Sequence, residues 1–136
     1  MTIARSFVLH GVPITTRATH PALDEAIRAL LDPVAVEAPR HADMPAGIAI
    51  QLQRGGEPAG SPPRGARTWL AVDFLRLLTD ERDSYLLLDG LLTGTYSAAE
   101  RRITAWIPPA LAASPDFIGQ MIVLPLLLEA LRADGF

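Results

Sequence analysis

Apolar and polar residues alternate through Ile3–Leu9 and again through Val12–Thr16. His10-Gly11 between them supplies a turn, so the chain opens as two strands folded back on each other. The period then changes. Leu23, Ile27, Leu30 and Leu31 recur at helical spacing, behind Thr19 or His20 at the N-cap and Pro21 at the first helical position. Asp24 and Glu25 place negative charge beside the exposed first-turn amides. Asp32-Pro33 ends the helix, because a residue before proline is pushed out of the α region. A short strand, Val34–Glu37, and a loop over residues 38–46 follow. Gly47–Gln53 then sets Ile48, Ile50 and Leu52 against Ala49, Gln51 and Gln53, the alternation of a strand with one buried face.

Residues 54–66 are Gly, Pro, Ser, Arg and Glu with little to bury, and predict a mobile hairpin loop. Strands resume at Thr68–Leu75, Ser84–Asp89, Leu91–Tyr96 and Ile103–Ile107, with Arg76–Asp83 as a polar connection. Asp89-Gly90 suits a type I′ hairpin turn, and Ser97–Arg102 a capped single turn or tight strand connection. Pro108-Pro109 closes the sheet region. Ser114, Pro115 and Asp116 open a long helix, about residues 115–133, that Gly135 ends. Pro125 in its middle predicts a kink. The apolar face turns there, from Phe117, Met121 and Ile122 to Leu124, Leu127, Leu128 and Leu131, as for a helix covered on more than one side. These elements make one α+β domain over residues 1–136: a mainly antiparallel sheet of six to eight strands, with an N-terminal helix and a long C-terminal helix packed on it.

Composition narrows the chemistry more than the fold. All 12 basic residues are arginines, and the chain has no cysteine, lysine or asparagine. A P-loop, a Schiff base and a protein-kinase core each need a lysine this chain lacks. A thiolate nucleophile, a disulfide framework and a cysteine zinc site fall with cysteine. A net charge of −3 disfavours a phosphate-tracking surface, so no nucleic-acid partner is expected. The most apolar stretch, Phe117–Leu131, is broken by Gln120, Pro125 and Glu129 and is too short to span a bilayer. Met1–Gly11 lacks a signal-peptide pattern, and the expected location is cytoplasmic, without a membrane.

Candidate sites are few. Arg54, Arg64 and Arg67 outnumber Glu57 in and beside the 54–66 loop, and can hold a phosphate or an acidic peptide or stand as a solvated surface. His10, His20 and His41 lie at spacings no metal motif uses, so neither metal nor cofactor is expected. Asp73, inside an apolar strand, is a general base if buried, or a solvent-facing carboxylate if Leu70, Val72 and Phe74 point inward. Asp80, Glu81 and Asp83 form an acidic cluster. Trp69, Tyr85, Tyr96 and Trp106 sit on strands, as core, cross-strand pairs or a stacking platform. No Gly-X-Ser-X-Gly elbow is present, and no catalytic residue is assigned.

From Ser84 onward the chain has a strand, an Asp-Gly turn, a second strand, an Ile-Thr-Ala-Trp-Ile-Pro strand and a helix ending Leu-Leu-Leu-Glu-Ala-Leu-Arg-Ala-Asp-Gly-Phe. This pattern resembles the N-terminal region of HPr-serine-kinase-like proteins. In that family the stretch leads into the P-loop, and this chain stops just before that point. The resemblance implies a non-catalytic accessory domain for substrate recognition or regulation. Its partner would be a protein or peptide, such as a kinase domain or carrier peptide. Two alternatives stay open: a small-molecule-binding or hydrolytic domain using Asp73 or the Asp80–Asp83 cluster, and a subunit dimerising through its leucine-rich helix.

Overall fold

A computed structural model of the chain describes residues 2–37, 47–56 and 61–133. Among them nine strands form one sheet: β1 (Ile3–Leu9), β2 (Val12–Ala18), β3 (Val36–Glu37), β4 (Ile48–Arg54), β5 (Arg67–Val72), β6 (Leu75–Asp80), β7 (Asp83–Leu88), β8 (Leu91–Ser97) and β9 (Arg102–Ile107). They lie in the order β3-β1-β2-β4-β9-β8-β7-β6-β5. The pairs β2–β4 and β4–β9 are parallel and the other pairings antiparallel, so the sheet is mixed. Helix α1 (Pro21–Leu31) leads from β2 to β3, which pairs on the far side of β1. After β9 a 3₁₀ turn, Pro109–Ala113, leads into α2 (Pro115–Ile118), a π-helical stretch (Gly119–Val123) and α3 (Leu124–Ala133). The class is α+β.

The opening hairpin and α1 follow the expected pattern. His10 and Gly11 both adopt positive φ in the turn, and the His20 ring caps α1 by accepting from the Ala22 amide through Nδ1 at 3.1 Å. Leu23, Ile27 and Leu31 are buried against the sheet. Asp24 does something other than face the helix dipole. It is buried and accepts from Arg5 Nε and Nη2 of β1 at 2.8 and 3.0 Å, while Arg5 Nη1 reaches Glu37 of β3 at 3.1 Å. The hydrogen bond to Asp24, ahead of the Glu37 contact, holds the guanidinium proton even more firmly than usual. One arginine thereby ties β1, α1 and β3 together.

Two sequence expectations are corrected. Residues 55–66 do not close a hairpin: β4 and β5 run parallel in the sheet with β9, β8, β7 and β6 between them, so the segment is a crossover from the sheet centre to its edge. The stretch 76–83 is not a polar connection but strand β6 and a tight turn, with Leu75 and Leu77 buried. The turns flanking β6 place Asp73 and Glu81 at positive φ (23° and 54°), and no glycine marks them in the sequence.

Directly before Pro125 the helix widens into a π turn, Gly119–Val123. The Leu124 amide bonds to the carbonyl of Gly119, five residues back. Pro125 has no N–H to give, and its ring would crowd the carbonyl four residues earlier, so a wider turn ahead of it relieves both problems. The turn also sets the packing face. Buried residues step by four, through Ile118, Ile122, Leu126 and Ala130 and through Gly119, Val123 and Leu127. In a straight α-helix steps of four precess by about 40° each; the extra residue in the π turn offsets part of that drift. Met121 and Leu128, placed on the apolar face by sequence, therefore point outward.

The helices cover one face of the sheet. α1 lies over β1, β2 and β4, and α3 over β7, β8 and β9. The two helices meet where Gly119 crosses α1: a Cβ there would lie 3.2 Å from the carbonyl oxygen of Ala26. Eight strand spacings make a sheet about 38 Å wide, whereas two adjacent helices 8–10 Å apart cover about 20 Å. The β5 edge overhangs, which leaves Trp69, Leu70 and Val72 exposed, while Val36 on β3 pairs with Val8 on the face away from the helices.

A larger side chain at the helix crossing should separate the two helices. Gly119→Val is expected to lower stability by about 2 kcal/mol, read as a lower urea midpoint at unchanged slope. Gly65→Ala, with nothing within 4 Å of the added carbon, should leave the midpoint unchanged.

Candidate functional site

The crossover separates the three candidate arginines. Arg54 ends β4, where its backbone amide donates to Thr19 Oγ1 at 3.0 Å. Arg67 begins β5, opposite Thr79. The strand directions put these residues at opposite ends of the sheet, with five strand spacings between them, about 24 Å if the sheet were flat. Arg64 lies in the turn just before Arg67, closed by the Ala66 amide donating to the Pro63 carbonyl at 3.0 Å. Arg64 and Arg67 thus stand together and exposed; Arg54 stands apart. Glu57 lies outside the described residues.

The acidic residues occupy turns. Asp73 is exposed in the β5–β6 turn rather than inside a strand. Asp80 and Asp83 face each other as the last pair of β6–β7, with Glu81 in the turn between. Asp83 Oδ1 accepts from the Ala98 amide at 2.9 Å, so this carboxylate holds the β8–β9 connection. Burial, then the charges of Asp83 and Asp80, push the Tyr85 phenol above its ordinary value. His20 is engaged as a helix cap, His10 sits in a hairpin turn, and His41 lies outside the described residues. Among the described residues no group of three or more His, Asp or Glu is placed to hold a metal ion, and no helix is long and apolar enough to cross a membrane.

What the tertiary structure does bring together is apolar. Tyr96 is core, Tyr85 and Trp106 are half-buried, and Trp69 is 56% exposed on β5. The β5–β6 register slips between Thr68 and Leu70, leaving Trp69 as the extra residue of a bulge. Its indole N–H donates to Glu129 Oε1 of α3, a carboxylate that is otherwise buried and paired through Oε2 with Arg132. The Arg132 guanidinium also lies 5.6 Å from the Trp69 ring centroid. At the other end of the strand Phe74 packs on Phe117, centroids 5.8 Å apart. Met121 is one turn from Phe117, and Leu128 one turn before Arg132, so both lie on the helix side that looks toward β5.

Six of the nine exposed large apolar side chains among the described residues belong to this face: Trp69, Leu70, Val72, Phe74, Met121 and Leu128. Sequence reasoning placed Leu70, Val72 and Phe74 inward, because alternation marks two faces of a strand without saying whether either is covered. The leucine-rich helix divides likewise: Leu126 and Leu127 pack on the chain's own sheet, and Leu128 is outside.

The fold and this face define an α+β domain with a partly covered sheet and an open apolar edge. Compared with known families, curated proteins and solved structures, the chain matches no family model, no curated protein and no solved structure.

The Tyr85 environment has a measurable consequence. A phenol whose pKa is raised by folding binds its proton more tightly in the native state, so its contribution is complete below the unfolded value near 10 and is lost as pH rises through the folded value. Stability should fall above about pH 10, and Tyr85→Phe should flatten that part of the pH profile. Asp80→Asn with Asp83→Asn should move the phenolate transition, followed by ultraviolet absorbance, to lower pH.

Proposed function

We propose that the chain is a non-catalytic accessory domain that binds an extended apolar segment of a partner protein along the β5 edge. In the setting that the resemblance to HPr-serine-kinase-like proteins implies, that partner is a kinase domain or a carrier peptide. The observation that carries the reading is β5 itself. Among the described residues it pairs on one side only, with β6, and all six of its residues are exposed. Long apolar edges are a liability that proteins blunt with charge, proline or a covering element. Within the strand the charge is confined to Arg67.

A segment added to β5 pairs with the free row of backbone groups, which is independent of side-chain identity. Specificity comes from alternate side chains reaching Leu70, Val72 and Leu128. Arg64 and Arg67 stand at the start of the strand and favour a partner with acidic residues beside its apolar run; such charges act mainly on the rate of encounter. The Trp69–Glu129 bond holds the edge strand against α3, so the surface is formed before a partner arrives. Catalysis is not invoked: among the described residues the candidate groups Asp73, Asp80, Glu81, Asp83, His10 and His20 are spread over turns, a strand-end pair and a helix cap.

Selection of displayed short peptides against the folded chain tests this. Enriched sequences should combine Val, Ile or aromatic residues with flanking Asp or Glu, and a bound peptide should slow amide exchange in residues 67–72. Leu70→Lys or Val72→Lys should weaken binding at least about tenfold, equivalent to about 1.4 kcal/mol, and Arg67→Glu should act chiefly on the association rate at low salt. Absence of enrichment, or protection mapping away from β5, would overturn the assignment.

A further inference from the structure

Away from the β5 edge, a cavity of about 820 Å³ opens where β4 and β9 end. Ligand sites in proteins occupy roughly 300–1,000 Å³ and are mostly apolar with a few placed polar groups. Leu88, Leu91, Leu92, Trp106, Pro108 and Leu111 make the apolar part of this lining.

The position follows from topology. β4 and β9 are parallel neighbours whose chains diverge at their carboxyl ends. From β4 the chain leaves through Gly55 and Gly56 toward the far edge, and from β9 through Pro108 and the 3₁₀ turn toward the helix layer. A crevice between parallel strands whose connections part in this way is where open α/β sheets bind ligands. The Gly55 amide donates to the Ile107 carbonyl at 2.8 Å and pins the two exits together. Gly56 has φ +78°, and a side chain there would begin 3.7 Å from Trp106 Cδ1, so glycine leaves that edge of the indole open to the cavity.

The polar groups select the ligand. Thr93 is buried and its hydroxyl donates to the Leu91 carbonyl, so it is already engaged. Asp89 is the charged residue of the lining, exposed in the β7–β8 turn and in no ion pair among the described residues. Arg54, next to Gly55 in sequence, is not part of the lining. We propose that this cavity binds a small aromatic molecule bearing an ammonium group, its ring against Trp106 and the leucines and its cation toward Asp89. An aromatic ring fits a large apolar wall with one open indole edge, and a lone carboxylate at the rim favours a cation over a neutral or anionic analogue.

A series on one ring with different charge tests it: 1-naphthylmethylammonium, 1-ethylnaphthalene and 1-naphthylacetate, titrated into the full chain and followed by amide chemical shifts. Saturable binding of the ammonium compound is expected, about fivefold tighter than the neutral analogue as for a rim ion pair, with the carboxylate weakest. Asp89→Asn, which a type I′ turn tolerates, should remove the charge preference and leave the neutral compound unaffected. Ala110→Trp, which fills the cavity from the 3₁₀ turn, should abolish binding of the series. Leu91→Arg, at a side chain 72% exposed and therefore neutral to folding, should abolish binding of the cation. Equal binding of the three compounds, indifference to Asp89→Asn, or shifts that map to Leu128 and β5 instead would overturn the proposal.

Discussion

The mismatch between sheet width and helix layer governs this molecule. Nine strands spread over about 38 Å, and two helices side by side shield about half of that on one face. The core therefore gathers under the helices, in Phe7, Ile14, Ile27, Ile50, Leu52, Leu86, Ile103, Ile122 and Leu126. At the β5 edge the cover is partial: Trp69 meets Glu129 and Arg132, Phe74 meets Phe117, and Leu70 and Val72 stay exposed. Apolar surface left out at a sheet edge is the usual mark of an interaction site, because a solitary monomer gains nothing from keeping it.

Each edge is held by a buried carboxylate paired with an arginine. On the β3 side Asp24 receives both Nε and Nη2 of Arg5, whose remaining arm reaches Glu37. On the β5 side Glu129 receives the Trp69 indole and Arg132. A buried carboxylate is expensive unless its lone pairs are filled, so both bonds are specific about position even where their net contribution to stability is small. The two devices keep marginally covered strands in register with the helices and leave their outer faces free.

Local chemistry in the sequence predicted local structure well. The His10-Gly11 and Asp89-Gly90 turns, the His20-Pro21 start of α1 and the Ile48-Ile50-Leu52 alternation all appear as expected, since turn geometry, capping and side-chain period act over a few residues. Strand β6 was hidden because Asp73 and Glu81 occupy turn positions that glycine or asparagine normally announces. The outward turn of Met121 and Leu128 was hidden because the apolar stripe was counted at α-helical spacing, and the π turn before Pro125 changes that count. Asp24 read as a dipole partner because Arg5 is 19 residues away in sequence.

Composition and short-range pattern were thus sufficient for an α+β domain without lysine or cysteine chemistry, and for most of its elements. The neighbours of each strand were another matter. Whether residues 54–66 return to β4 or cross to the far edge depends on which pairing buries more apolar area in the whole sheet, and no window of a few residues contains that comparison. The crossover parts Arg54 from Arg67, opens the crevice at the ends of β4 and β9, and makes β5 an edge. Burial is a property of the assembled layers, so the same Leu-Ala-Val run is core in one arrangement and exposed edge in another.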